Sequence, residues 1–495
     1  MTFNSSLFLI LVLPFCVFIN YFLSCKVRNI FLLIASILFY SWCGLEFLCI
    51  ALISSILAYF AGIGIDYFEN KQKFLLKKIL FVSALLLHVA VLFRYKYLYD
   101  FLCYFSNVLH FFKIDMTFAT EKVLLPLGIS FYTFSVISYE SDVFVKNAAV
   151  QKNPVNALLY FIFFPKVVQG PVMLYTDFES QLIQKKLSLS DINDGLELFI
   201  IGLAKKMLIA NHLESLVAYS FDNISNVGTA AAWLGIAGYL LQLYYDFSGY
   251  SDMALGLGKM LGYSLPLNFN YPYISRNVAE YWRRWHITLG EWFKTYIYIP
   301  VMKSLVGREF FSKLKNPAVT ADIIALFIVW FVTGIWHGSK IQFFMHGMWY
   351  FAFIAFERIR DNRRKKLRKL KKLPKKDTRW QIISDHCITA VAIIFGQVIF
   401  RANGVFTILN YWKKMLCFSN TDGGLYITEL NNLTIFALCV GLIFCFPVFP
   451  LIRRKISEGN MLMQYVYKFF LVVLFLVSFS FVVGNGYSPF LYQVF

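Results

Sequence analysis

An all-α integral membrane protein, folded as one bundle of many helical spans, is what this sequence predicts, and three observations predict it. Of 495 residues, 59% are apolar and only 15% are charged, where an ordinary soluble domain carries about 25% charged residues. Aromatic residues make up 19%, with 54 Phe among them, which suits broad interfacial and lipid-facing surfaces. Apolar windows long enough to cross or nearly cross a ~30 Å hydrocarbon core recur along the whole chain.

The first window, 5–24, has no basic segment before it and no small-residue cleavage site after it, so it is expected to remain as a span. Others follow at 29–44, 46–65, 79–93, 122–139, 155–170, 194–210, 231–245, 319–336, 341–357, 386–400, 433–451 and 463–483. Irregular backbone at membrane depth survives only inside protein or beside water. The windows around Pro126, Pro165 and Pro171 are therefore expected to be re-entrant pieces, which leaves roughly ten to twelve true spans. No internal repeat is visible, so residues 1–495 read as a single polytopic domain.

Charge orients these elements. The net +19 is largely local: Arg358 to Lys376 holds twelve Lys or Arg against one acid, Asp361. A basic loop at 358–377 is expected on the cytoplasmic side, attracted to anionic lipid, with no nucleic-acid partner implied. Arg453, Arg454 and Lys455 lie two windows later and agree in parity. Counting backwards puts 338–340 toward the outside and 276–318 at the inner interface, with Arg283, Arg284, Lys294, Lys303, Arg308, Lys313 and Lys315. The mixture of Trp, Arg, Tyr and Phe there suits amphipathic helices lying in the membrane plane. The stretch 401–432, with Asp422, Gly423 and Gly424, becomes the longest external connection.

Nine Cys occur without a C-x-x-C pair and mostly within apolar runs, so neither a disulfide framework nor a metal site is indicated. The phosphate-loop, dinucleotide, zinc-protease and serine-hydrolase motifs are absent. Chemistry must then come from intramembrane polar residues, which are costly and usually mark a substrate path. His88, His110, His212 and His386 stand alone and read as satisfied or interfacial. His337 differs, because it sits in Thr333-Gly334-Ile335-Trp336-His337-Gly338 where two apolar runs join, and a neutral imidazole can take a proton from a hydroxyl. His286 follows Tyr281-Trp282-Arg283-Arg284-Trp285, two guanidiniums suited to phosphate or carboxylate or, equally, to lipid headgroups. Tyr244 to Asp252 brings Asp246, Tyr250 and Asp252 into an apolar region, either to line a cavity and orient a histidine or to fix helix packing.

At these residues the chain resembles the membrane-bound O-acyltransferase family, in particular its bacterial alginate O-acetyltransferase-like branch. The resemblance runs nearly end to end through Leu125-Pro126-Leu127-Gly128-Ile129-Ser130-Phe131-Tyr132-Thr133-Phe134, Phe163-Phe164-Pro165 with Gly170-Pro171, and Asp246 to Met260. It continues through Asn268-Phe269-Asn270-Tyr271-Pro272-Tyr273, Trp282 to Ile287, Tyr296-Ile297-Tyr298-Ile299-Pro300, Gly334-Ile335-Trp336-His337-Gly338 and Ile399-Phe400-Arg401-Ala402. The chain departs from the family's usual pattern at Lys294-Thr295, at Val301-Met302 and at Lys340-Ile341-Gln342. His346 stands where Trp is frequent.

The resemblance implies a bundle of about eleven transmembrane helices, with re-entrant and interfacial helices around a central tunnel. His337 and His286, the family's second histidine, would be the catalytic residues. The span between them implies a separation of ~27 Å at 1.5 Å per residue, less if that helix is tilted or broken. Trp336, Gly338, Asp246, Tyr250, Asp252 and Asn270 would line the tunnel or touch substrate, and Arg283 and Arg284 would contact the donor. The implied reaction is acetyl transfer from acetyl-CoA or an acyl-carrier thioester, with no tightly bound cofactor. The acceptor would be an extracytoplasmic polysaccharide, peptidoglycan or a partner acetyltransferase, and the setting a bacterial inner membrane. D-alanyl transfer to a wall polymer and a non-catalytic transporter or flippase are the competing readings.

Overall fold

The computed structural model describes residues 2–42, 44–114, 116, 121–182, 187–306, 316–371, 377–418, 429–484 and 490–491. Every regular element among them is helical. Five helices are long and apolar enough to cross a membrane, or six if one pair bent by 71° counts as a single span. This is the architecture of a multi-pass helical protein. Arg308, Lys313, Lys315, Asp422, Gly423 and Gly424, along with 372–376 of the basic run, lie outside the described residues.

The chain divides into two compact units. The first comprises Met1–Gly202, Tyr250–Leu267 and Val482–Val494. Its helices are α1 (Phe8–Phe22), α2 (Cys25–Ser41), α3 (Leu45–Asn70), α4 (Phe74–Lys96), α5 (Leu98–Phe111), α6 (Ile129–Phe144), α7 (Pro154–Val167) and α8 (Leu189–Ala204). α3 is held by a face of small side chains: Ala51, Ser54, Ser55, Ala58, Ala61 and Gly62 are buried, and α4, α6 and α7 pack close to it. Small residues let helix backbones approach where hydrophobic driving force is weak. A His88–Glu140 pair at 3.0 Å joins α4 to α6 with both side chains buried. After Pro165 and Gly170 the backbone leaves regular helix, yet Val168, Val172 and Met173 are buried. Irregular chain is thus enclosed by protein, as the prolines require.

The second unit comprises Leu203–Gly249 and Asn268–Phe481. Its first long helix, α9 (Thr229–Met260), begins in this unit and passes its last turns to the first. Then come α10 (Val278–Arg284), α11 (287–306), α12 (Pro317–His337), α13 (Ile341–Lys371), α14 (Arg379–Arg401), α15 (Val405–Leu416), α16 (Asn432–Phe444), α17 (Val448–Ser457) and α18 (Met461–Gly484). Local sequence explains the boundaries. α12 starts at Pro317, whose missing N–H costs nothing in a first turn. α14 starts with a capping box: Thr378 Oγ1 accepts from Gln381 N, and Gln381 Oε1 accepts from Thr378 N. The basic run is not a loop at its start. Residues 358–371 continue α13 as helix, where cations favour the negative end of the helix dipole.

Segment 276–306 corrects the expectation of helices flat in the interface. α11 is one helical rod, α-helical at both ends with a π-helical turn over Lys294–Tyr298, and it runs antiparallel to α12. Two contacts fix the direction. At its start, the His286 ring lies 6.4 Å from Trp336 near the end of α12; twelve residues later, Tyr298 donates a 2.6 Å hydrogen bond to Asp322 near the beginning. The physical reason is the apolar face of α11, with buried Leu289, Trp292 and Phe293 at its start, which has protein to bury against.

Candidate active site

The site is organised by the hairpin of α12 and α13. Gly334 and Gly347 make the crossing possible: a Cβ on Gly347 would stand 2.5 Å from the Trp330 carbonyl oxygen, and one on Gly334 would stand 2.9 Å from that of Phe343. Gly334, three residues before His337, thus admits the backbone of α13. Gly338 continues in an extended conformation (φ 162°) with the Phe343 ring beside it. A Cβ there would lie 2.8 Å from that ring.

His337 is the last residue of α12 and is 8% exposed. Its ring is boxed by Trp336 at 4.7 Å, Phe400 at 5.0 Å nearly edge-on, Phe343 at 6.2 Å and His346 at 5.9 Å and perpendicular. His346, on α13, also meets Phe400 at 4.9 Å and Tyr350 at 4.8 Å. It is buried, and neither of its nitrogens has a hydrogen-bond partner among the described residues. Buried polar atoms are normally satisfied, so two bare nitrogens beside a second imidazole mark a place where a polar guest fits.

His286 occupies the joint between α10 and α11 in a left-handed conformation, φ 45° and ψ 52°. A non-glycine residue there stores strain of order 1 kcal/mol, which the surrounding structure must hold. The structure supplies that hold. Asn268 Oδ1 lies 3.0 Å from His286 Nδ1 and also accepts from Thr288 Oγ1 at 2.9 Å. Because this oxygen only accepts, Nδ1 carries the proton, and Nε2 is the basic nitrogen. Nε2 is buried with no partner among the described residues. Trp336 sits 6.4 Å from the His286 ring and 4.7 Å from the His337 ring, so the two imidazoles lie within about 11 Å of each other. The ~27 Å separation expected from a helix-long spacing is overturned. α11 carries His286 up alongside α12 instead of leaving it at the opposite end.

The remaining sequence candidates divide. Trp336 and Gly338 flank His337. Arg284 is engaged by Glu280 at 2.9 Å and by the Asn270 carbonyl at 3.1 Å, and Arg283 is exposed. Asn270 is exposed, while Asn268, two residues earlier, is the buried amide that holds His286. Asp246 forms a buried 2.6 Å ion pair with Lys206. Tyr250 and Asp252 belong to the first unit, where Tyr250 stacks on Phe3 and meets Phe490 edge-on. His110 and His386 are exposed, and His212 packs against Phe481. Among the described residues no three His, Cys, Asp or Glu side chains converge to hold a metal ion.

Sequence reading missed Asn268, His346, Phe400 and Glu357 as parts of the site. Glu357 on α13 accepts from the backbone N–H groups of Val278 and Ala279 at 2.8 and 3.1 Å, pinning the start of the helix that leads to His286. No sequence signal separates Asn268 from Asn270, because residues i and i+2 of an extended chain share a face and only the turn here buries one of them.

Residues 143–396 match the profile of the membrane-bound O-acyltransferase family. A probable alginate O-acetylase of Pseudomonas aeruginosa is 32% identical over 89% of this chain and 79% of its own length. A peptidoglycan O-acetyltransferase of Helicobacter pylori is 28% identical, covering 99% of this chain and 97% of its own length. A teichoic acid D-alanyltransferase of Bacillus subtilis is 29% identical over 55% of this chain and 68% of its own.

Proposed function

This chain belongs to the membrane-bound O-acyltransferase family, and from that premise we propose that it moves an acetyl group from a cytoplasmic thioester across a bacterial inner membrane to an extracytoplasmic hydroxyl. The hydroxyl belongs to a polysaccharide, to peptidoglycan or to a partner acetyltransferase, and the donor is acetyl-CoA or an acyl-carrier thioester. About eleven spans, acting as one functional domain around a tunnel, complete the reading. One observation carries it: a buried imidazole, His337, at the end of an apolar helix, walled by Trp336, Phe343 and Phe400 and facing a second imidazole whose nitrogens are bare.

The chemistry follows from the ring. An alcohol is a poor nucleophile at neutral pH, so a nitrogen of His337 takes its proton as the oxygen attacks the thioester carbonyl. The C–S bond then breaks, and the imidazolium returns the proton to the leaving thiolate. The aromatic walls keep water from intercepting the acyl group, and Gly338 leaves the peptide beside the ring without a side chain. His286, with Nδ1 committed to Asn268, keeps a buried Nε2 that has no hydrogen bond among the described residues, and its ring lies 6.4 Å from that of Trp336.

The acetyl reading is preferred to D-alanyl transfer because the similarity to the two acetylating proteins extends over most of the chain, against about half for the D-alanyl protein. The test is His337→Ala in membranes given labelled acetyl donor. Product ester falls by 10²- to 10⁴-fold, the usual contribution of a general base, while expression is kept; undiminished transfer overturns the assignment. Parallel feeding of labelled D-alanine separates the two acyl groups.

A further inference from the structure

Away from the histidines, a cavity of about 220 Å³ opens between the start of α10, the basic end of α13 and the start of α14. It is lined by Arg276, Arg360, Arg364, Arg368 and Lys365 on one side of the charge balance and by Asp361, Asp377 and Asp385 on the other. Asp385 is 4% exposed and binds three guanidiniums at once, Arg276 at 2.7 Å, Arg360 at 3.0 Å and Arg364 at 3.2 Å. Asp377 binds Arg276 at 2.6 Å and also Arg368. Asp361 is half exposed and reaches its arginines only at 3.7 and 4.0 Å.

Two well-placed carboxylates therefore face four guanidiniums and a lysine. Even with Asp361 counted, five cationic groups face three carboxylates, and at five N–H donors per guanidinium and about four acceptor sites per carboxylate the donors outnumber the acceptors by nearly two to one. Arg360 Nε illustrates the surplus: it is buried, makes no hydrogen bond among the described residues and only approaches Asp361 at 3.7 Å. A network built only to stabilise the helices would balance its charges, since an uncompensated buried charge is costly. The surplus here surrounds an open volume.

We propose that this cavity is a phosphate-binding site, taking a phosphomonoester or pyrophosphate group that arrives from the side of the basic helix end. Planar guanidinium forks match phosphate oxygens in pairs, and several converging on one point select a dianion over a monoanion. The cavity is placed to serve the donor of the proposed reaction, and to that extent the identification of the phosphate's bearer rests on the acyl-transfer reading. α13 carries both His346 and Arg360, fourteen residues apart, a rise of ~21 Å. A molecule anchored here by phosphate and reacting beside His337 must be drawn out over that distance, as a pantetheine arm is.

The experiment uses the full-length protein in phosphatidylcholine nanodiscs. Binding is measured for coenzyme A, for coenzyme A lacking its 3′-phosphate and for inorganic phosphate, and separately with phosphatidate added to the disc. The R360Q/R364Q double variant should weaken coenzyme A binding about tenfold or more. Lys365→Glu, which breaks no ion pair among the described residues, should weaken it several-fold and so guards against misfolding of the double variant. Weaker binding on loss of the 3′-phosphate, with phosphatidate without effect, assigns the site to a soluble donor. Competition by phosphatidate instead assigns it to a lipid headgroup. Unchanged binding of all probes in both variants overturns the phosphate site. His337→Ala must leave coenzyme A binding intact. If it also leaves acetyl transfer intact, the acyl-transfer reading falls while the phosphate site stands.

Discussion

The two ends of helix α13 solve opposite problems with the same backbone. At one end the rings of His346 and His337 pack among Trp336, Tyr350 and Phe400, and both nitrogens of His346 carry no hydrogen bond among the described residues. Fourteen to twenty-two residues on, the helix presents Arg360, Arg364 and Arg368, tied to Asp385 in α14 or to Asp377 just before it. The ring end is held by packing and spends its polar atoms on whatever enters. The charged end is held by its polar atoms. Substitutions should therefore change rate at the first end and stability or ligand affinity at the second.

The sharpest test of that contrast pairs His337→Ala with Asp385→Asn. The histidine change should cost 10²- to 10⁴-fold in turnover and leave the thermal midpoint nearly where it was. Removing the Asp385 charge strips three guanidiniums of their shared partner, and breaking a buried pair from one side costs about 3 kcal/mol. The measurement is a thermal unfolding curve beside an acetyl-transfer rate for each variant. A stable, fully folded Asp385→Asn would mean that the charged end is not held as described. Next in size is Gly347→Val. Its Cβ would press on the Trp330 carbonyl, so α12 and α13 must part, at about 1–3 kcal/mol for overpacking. Activity should fall further than stability, because the parted helices are those that carry His337 and His346. Equal losses in both would make the crossing a purely structural feature.

How much of this was legible beforehand follows from what each residue depends on. The helical membrane class, the isolation of His337 and the strangeness of its Gly-Trp-His-Gly setting depend on composition and local order, and the sequence displays both. The position of His286 depends on where α11 packs. A Trp/Arg-rich amphipathic helix has the same periodicity whether its apolar face meets lipid or α12, so the expected separation from His337 came out far too long. Asn268 and Asn270 present the same ambiguity at smaller scale, since turn geometry alone decides which amide is buried. The arginine cavity is not legible in the basic run because the carboxylate that gathers three of its guanidiniums, Asp385, lies outside that run and meets it only through the fold.

A smaller effect is expected from Asn268→Ala. The His286 Nδ1 proton loses its acceptor, and the Thr288 hydroxyl loses the same oxygen. One such bond is worth about 1 kcal/mol, so transfer should slow several-fold. Asn268→Asp, which keeps an accepting oxygen at that place, should recover much of the loss. Recovery by Asp but not by Leu distinguishes orientation of the imidazole from simple filling of the pocket.

The smallest effect separates the rim of the charged end from its centre. The hydrogen bond from Arg368 holds the Asp377 carboxyl below the usual carboxylate range, against a smaller opposing effect of burial and with help from Arg276. A carboxyl whose folded-state value is depressed adds stability that is complete above its unfolded value of about 3.9 and disappears as pH falls through the lower folded value. Lowering the pH from 7 to 5 should therefore leave this contribution untouched. Below about 4 it should fade by no more than ~1 kcal/mol, since the pair lies near solvent and is screened. Asp377→Asn abolishes the contribution at every pH, so the thermal midpoints of wild type and variant should differ at pH 7 and converge only as pH falls through the lowered folded-state value. Midpoints that stayed apart at low pH would show Asp377 acting through packing, and the charge balance of the cavity would then rest on Asp385 alone.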